Sequence, residues 1–237
     1  MEMTERRPSF TPWKSFPETL CHGAVIYGLY ALFFLLSSYS FSMFIFHENR
    51  ADDAGTIFCL AALFSTPPAI LLLFFFAGKT KEAIQEVLGL YTISLKEITF
   101  SGLMALLLFG LYHSLSVYMC GGTVPEPVIT LWRTTDPGAL FFITMLLAVP
   151  VFEEFFFRGF LFHCFTRTPL GKTGATLSTA LLWSLGHLQY EMWDMGVLFF
   201  VGMILAFFRI RSGSLYPSLF FHLIVNLGTS LELAIFY

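Results

Sequence analysis

Charged residues are scarce in this chain: Asp, Glu, Lys and Arg make up 12% of its 237 residues. Soluble domains carry about 25%, so the composition argues against a water-soluble globule. There is no basic run or basic face, and the net charge is −3. Nucleic acid therefore has no support as a partner. Cysteine is sparse too. Cys21, Cys59, Cys120 and Cys164 form no CxxC pair and no zinc-ligand spacing, and read as small apolar packing residues. No internal repeat, low-complexity tract or boundary suggests a second domain. Residues 1–138 read as N-terminal transmembrane helices with their connectors, and 139–237 as a transmembrane core, within one integrated membrane domain.

What is abundant is apolar: 56% of the chain is hydrophobic and 18% aromatic. A span needs about 20 apolar residues to cross roughly 30 Å of hydrocarbon. Seven stretches qualify as candidates. They run from about Leu20 to Phe46, Thr56 to Ala77, Phe100 to Cys120, Ala139 to Phe165, Gly174 to Leu188, Met195 to Phe208 and Leu215 to Phe236. The fifth and sixth are short, as tilted or partly buried helices are. The expected fold class is all-α, a polytopic membrane bundle of about seven helices around a polar cavity near mid-membrane. The first run is too long for a signal-peptide h-region and is expected to be retained. Glu82 to Thr99 alternates charged with apolar residues (Ala83, Ile84, Val87, Leu88, Leu95) and is expected to lie on the surface as an amphipathic connector.

Basic residues set orientation. Arg6, Arg7, Lys14, Lys79, Lys81, Lys96, Arg158, Arg167, Lys172, Arg209 and Arg211 fall on one side, and only Arg50 and Arg133 on the other. This places the N-terminus in the cytoplasm and the C-terminus outside.

Three charges interrupt the fourth span, in Ala148-Val-Pro-Val-Phe-Glu-Glu-Phe-Phe-Phe-Arg-Gly-Phe160. A lone charge at the bilayer centre costs roughly 2.5–3.5 kcal/mol on insertion scales. Residues four apart share a helix face, so Glu154 and Arg158 can pair, while Glu153 is turned about 100° away. A buried pair that fixes packing accounts for Glu154 and Arg158 but not for Glu153. An intramembrane acid facing a bundle interior is a functional candidate. Two later helices bring polar partners: Trp183-Ser-Leu-Gly-His187, and His222 with Asn226 four residues on. At ~1.5 Å per residue, Glu153 lies roughly 18 Å from the cytoplasmic end of its span, His187 roughly 20 Å, and His222 and Asn226 roughly 10 and 17 Å. All four fall in or near the middle third and are expected to converge.

These residues resemble the CPBP family of intramembrane proteases, named for CAAX prenyl proteases and bacteriocin-processing enzymes and also called Abi. Its EExxxR motif stands here as Glu153-Glu154-Phe-Phe-Phe-Arg158, followed by the customary Gly159. Its FxxxH stands as Trp183-Ser-Leu-Gly-His187, with Trp in place of Phe, and its HxxxN as His222-Leu-Ile-Val-Asn226. The approach to the third motif, RIRSGSLYPSLFFH, is similar to the family's Arg…Gly-Ser-Leu…Pro…His run. The resemblance covers roughly residues 139–230 and implies a glutamic-type hydrolase. Glu153 and His187 would hold and activate water, His222 and Asn226 would stabilise the oxyanion, and Glu154 and Arg158 would support them. No cofactor is implied. Zinc remains an alternative, since two histidines and a glutamate can bind it with an open position, although no HExxH is present.

The implied activity is endoproteolysis of a membrane-bound protein or peptide: a prenylated CAAX-type tail, a bacteriocin leader or a C-terminal sorting segment. The expected location is the lipid bilayer of a bacterial inner membrane. The alternatives are a non-catalytic immunity or scaffold protein of the same fold, or a small transporter. Against transport, no inverted repeat or paired broken helices are seen. His113, Ser114 and Ser116 are expected to bond between helices, and His22, His47 and His163 to sit at the membrane interface.

Overall fold

The computed structural model describes residues 16–44, 53–80, 82–120 and 122–237. Arg6, Arg7, Lys14, His47, Arg50 and Lys81 lie outside them, as does Phe46, the expected end of the first span. The fold is all-α and polytopic. The helices are α1 (Phe16–Phe44), α2 (Ala54–Lys79), α3 (Ile84–Leu88), α4 (Leu95–Cys120), α5 (Glu126–Arg133), α6 (Gly138–Thr166), α7 (Gly171–Leu185), α8 (Met192–Ser212) and α9 (Tyr216–Phe236). Here α6 counts as one helix, although two π-wound stretches, Thr144–Ala148 and Glu154–Leu161, interrupt its α-helical turns. Among the described residues no strand forms.

Six helices, α1, α2, α4, α6, α8 and α9, are long and apolar enough to cross a membrane. The remaining expected span, the fifth, is α7. Its 15 residues reach only about 22 Å at 1.5 Å per residue, short of the roughly 30 Å of hydrocarbon. It stops because Gly186 turns its N–H back onto the Leu182 and Trp183 carbonyls, each at 3.1 Å. His187 therefore sits in the turn beyond the helix and not on it.

Most of the Glu82–Thr99 segment is exposed, as a surface connector is, but its middle is tied into the bundle. It holds the short helix Ile84–Leu88 and the start of α4, the short helix ends at Gly89 in the left-handed region (φ 70°), and Val87 and Leu88 are fully buried. The cause is long-range. Gly159 has no side chain, so the Leu88 carbonyl can stand 3.3 Å from where a Cβ would be. Arg209 then donates from Nη2 to the Glu86 carbonyl at 3.2 Å, and Leu215 donates its N–H to the Gly89 carbonyl at 2.8 Å. Charged residues of the segment still face out, where Arg167 bridges Glu82 and Glu86 at 2.9 and 3.0 Å. The connection between α4 and α6 holds α5, and Gly55 at the start of α2 donates to Thr134 Oγ1 at 2.9 Å.

Helix α6 is central and α1 peripheral, with 44% and 6% of their most apolar windows buried within the bundle. Lipid is as apolar as leucine, so close packing, and not the hydrophobic effect, holds such helices together. Gly202 supplies it: a Cβ there would meet Ala180 of α7 at 3.0 Å and Arg158 Nη2 at 3.3 Å. That approach brings α7 and α8 against the charged stretch of α6.

Candidate active site

The polar centre begins with a defect in α6. In a regular helix Val149 would donate to the Met145 carbonyl, but here its N–H goes to Thr144. The next residue, Pro150, has no N–H to offer. The Met145 carbonyl is left for a side chain, and Asn226 of α9 donates to it from Nδ2 at 2.8 Å. This bond orients the amide, and its remaining N–H is available to another acceptor. π-Bulges of this kind are frequent at functional sites.

One turn further on, the two glutamates part as helical phase requires. Glu154 is fully buried and accepts from Arg158 Nη1 at 3.2 Å, with Arg158 equally buried. Its Oε1 also meets His222 Nδ1 at 3.0 Å. Against the Glu154 carboxylate Nδ1 is the donor, which fixes the orientation of the His222 ring. Nε2 then faces Glu153, 3.8 Å from its Oε2. Arg158 also donates to the Gly202 carbonyl at 3.4 Å and lies over the Trp183 ring, 4.6 Å from its centre. Glu154 Oε2 and Arg158 Nε remain buried without a partner among the described residues. Each such group costs about 1–3 kcal/mol, an expense typical of a site kept for chemistry.

Glu153 takes a different neighbour: Trp183 donates from its indole nitrogen to Oε2 at 2.6 Å. His187 stands edge-on to the same indole, with ring centres 5.4 Å apart. Its Nδ1 lies 2.9 Å from the Trp183 carbonyl, which caps the end of α7. Among the described residues His187 makes no direct bond to Glu153, so the two meet only across the cavity they share. That cavity, of about 1150 Å³, is lined by Glu153, Trp183, His187, His222 and Asn226 together with Tyr27, Tyr30 and Tyr190. Its wall is otherwise mostly apolar, from α1, α4, α5 and α8. Burial, reinforced by the Glu153 carboxylate, pushes the Tyr190 phenol up from its ordinary value. Tyr190 therefore stays neutral, a hydrogen-bond donor beside His187 with ring centres 5.3 Å apart.

All four expected catalytic residues thus line one cavity, with Glu154 and Arg158 behind it. Two contributors were not expected from the sequence: the indole N–H of Trp183, and Arg209. Arg209 Nε donates to the Arg158 carbonyl at 3.2 Å, and its Nη1 to the Gly213 carbonyl. The Arg…Gly-Ser-Leu run is therefore a clamp on the back of α6, and Arg in that run was the signal for it. Elsewhere, His113 pairs with Glu232 across helices at 3.6 Å, and Ser116 accepts from Trp193 at 3.4 Å. Ser114 instead bonds its own helix, at the Gly110 carbonyl. His163 is buried near the end of α6, 2.8 Å from Oε2 of Glu82, which stands just ahead of α3. Cys21, Cys59 and Cys164 are free thiols. Among the described residues no group of three His, Cys, Asp or Glu stands ready to hold a metal ion.

Residues 135–228, which contain all three motifs, match the family model described as type II CAAX prenyl endopeptidase Rce1-like. Over that stretch the chain resembles the Rce1-like endopeptidases. No curated protein and no solved structure matches the chain. The Rce1-like match agrees with the CPBP resemblance and stands for a membrane peptidase at the level of the family. The six spans make the chain a multi-pass membrane protein.

Proposed function

We propose that the protein is an intramembrane endopeptidase in which Glu153 is the general base. The observation that supports it is the convergence of Glu153, His187, His222 and Asn226, from two helices and a turn, on one largely apolar cavity. Trp183 occupies Oε2 of Glu153, so Oε1 is the oxygen that takes a proton from water shared with His187. The water oxygen attacks the peptide carbonyl, and the charge that develops is met by the free N–H of Asn226 and by Nε2–H of His222 in its doubly protonated form, Nδ1–H staying on Glu154. Glu153 then returns its proton to the leaving amine as the C–N bond breaks, which balances the step. Glu154 contributes by holding His222. The substrate is a membrane-associated protein or peptide whose apolar part enters the cavity from the bilayer. A prenylated CAAX-type tail is the first to test, ahead of a bacteriocin leader or sorting segment, because of the family description.

The mechanism uses no metal. Purified protein in proteoliposomes should cleave a farnesylated CAAX-type peptide, and EDTA should leave the rate unchanged. A rate that falls with EDTA and returns with zinc would replace this mechanism by a metal-dependent one.

We also propose a cytoplasmic N-terminus and an outside C-terminus, which requires α7 and the turn after it to bring the chain across a seventh time; Gln189 and Glu191 of that turn line a pocket with Tyr237. Contacts gather Arg167 and Arg209 around α3, just beyond Lys79, whereas Arg133 lies over Tyr237 with its guanidinium 5.9 Å from the ring centre. Helix α2 separates these two ends by about 39 Å at 1.5 Å per residue over its 26 residues. Reporter fusions after Gly171 and after Tyr237 should report opposite sides. Reports from one side would refute the assignment.

A further inference from the structure

Trp183 is the one side chain that touches most of the polar centre. It bonds Glu153 at 2.6 Å, lies under Arg158 at 4.6 Å, and meets the His187 and His222 rings edge-on at 5.4 and 5.6 Å. A phenylalanine, the residue of the FxxxH pattern, would preserve the ring contacts. It could not preserve the bond to Glu153, because indole carries an N–H and benzene does not. The substitution of Trp for Phe therefore adds one chemical function to this chain, and that function is spent on Glu153.

Glu153 needs such a partner. Arg158 is committed to Glu154, and His222 keeps its nearer nitrogen on Glu154 as well. A carboxylate on a chain of three torsions, facing a cavity of about 1150 Å³, otherwise has several rotamers open to it. An indole N–H donates and never accepts, so it holds the ionised carboxylate without competing for its proton. The 2.6 Å separation is that of a charge-assisted bond. Trp183 is itself immobilised, because it is buried, carries Arg158 on its face, and gives its backbone carbonyl to His187 Nδ1. A fixed donor thus holds one oxygen of a mobile acid.

We propose that Trp183 is a positioning residue for Glu153: its indole N–H fixes Oε2 and presents Oε1 to the water. The inference rests on the endopeptidase reading for its consequence, but the bond itself is tested without turnover. Protein labelled with ¹⁵N at its tryptophans is reconstituted in nanodiscs, and Trp183→Phe identifies the Trp183 indole signal by its loss. A donor bonded to a carboxylate resonates downfield, so Glu153→Ala should move that signal upfield and leave the other indole signals in place. A signal unmoved by Glu153→Ala overturns the proposal. In the farnesylated-peptide assay, Trp183→Phe should lower kcat about tenfold to a hundredfold, the range of a charged hydrogen bond, with KM little changed. A purely structural role would instead reduce the amount of folded protein and leave the kcat of the remainder intact, which also overturns it. Failure of the function reading looks different: Glu153→Gln would retain cleavage while the indole signal still responded to Glu153→Ala.

Discussion

Glu153→Gln should abolish peptide hydrolysis while leaving the protein folded in the membrane. Gln matches the volume of Glu and keeps an oxygen that Trp183 can donate to, so the packing around Oε2 survives. What disappears is the ability to take a proton from water. General-base catalysis contributes typically 10²–10⁴-fold, and the loss should reach at least that, since the same group returns the proton to the leaving amine. The thermal midpoint in detergent should stay close to that of the parent, because Glu153 is not part of the buried Glu154–Arg158 pair. His187→Ala should also fall steeply. If the two residues act on one water, the double variant will be little slower than either single, the non-additivity expected of groups that work as a unit. Multiplied losses would place His187 in a separate step. Near-normal cleavage by Glu153→Gln would end the glutamic mechanism.

Much of this arrangement could be read from spacing. Glu154 and Arg158 are four apart and do pair, even though Glu154–Leu161 is π-wound. A pair four residues apart tolerates a small change of pitch because both side chains are long. Glu153 is one residue out of phase and does turn to the cavity. The features that escaped are those made by residues distant in the chain. Whether Trp183 reaches Glu153 depends on how closely α7 approaches α6, which Gly202 of α8 decides by letting Ala180 of α7 come close. Burial of Val87 and Leu88 depends on Gly159, some 70 residues later, which periodicity within 82–99 does not contain. The same holds for His163, whose partner Glu82 lies 81 residues earlier. Hydropathy gave α7 a plausible span, but it contains no information about the turn at Gly186 that ends the helix early.

Glu154→Gln should cost both stability and activity, and a second change should separate the two. Glu154 and Arg158 are both fully buried, and Glu154 Oε1 serves Arg158 and His222 together. A neutral amide leaves the guanidinium with the Gly202 carbonyl and the Trp183 face, without a countercharge. Breaking a buried pair from one side typically costs about 3–5 kcal/mol, which should appear as a lower thermal midpoint and a smaller yield from the membrane. Replacing both members by apolar residues of similar volume is often close to neutral. Glu154→Leu combined with Arg158→Met should therefore recover much of the lost stability. It should not recover cleavage. His222 would have no acceptor for Nδ1–H, so nothing would hold its ring or aim Nε2 at the cavity, where it now stands 3.8 Å from Glu153. The double variant is thus expected to be stable, well expressed and inactive. Should it regain cleavage along with stability, Glu154 and Arg158 serve packing alone, and His222 needs no partner to do its work.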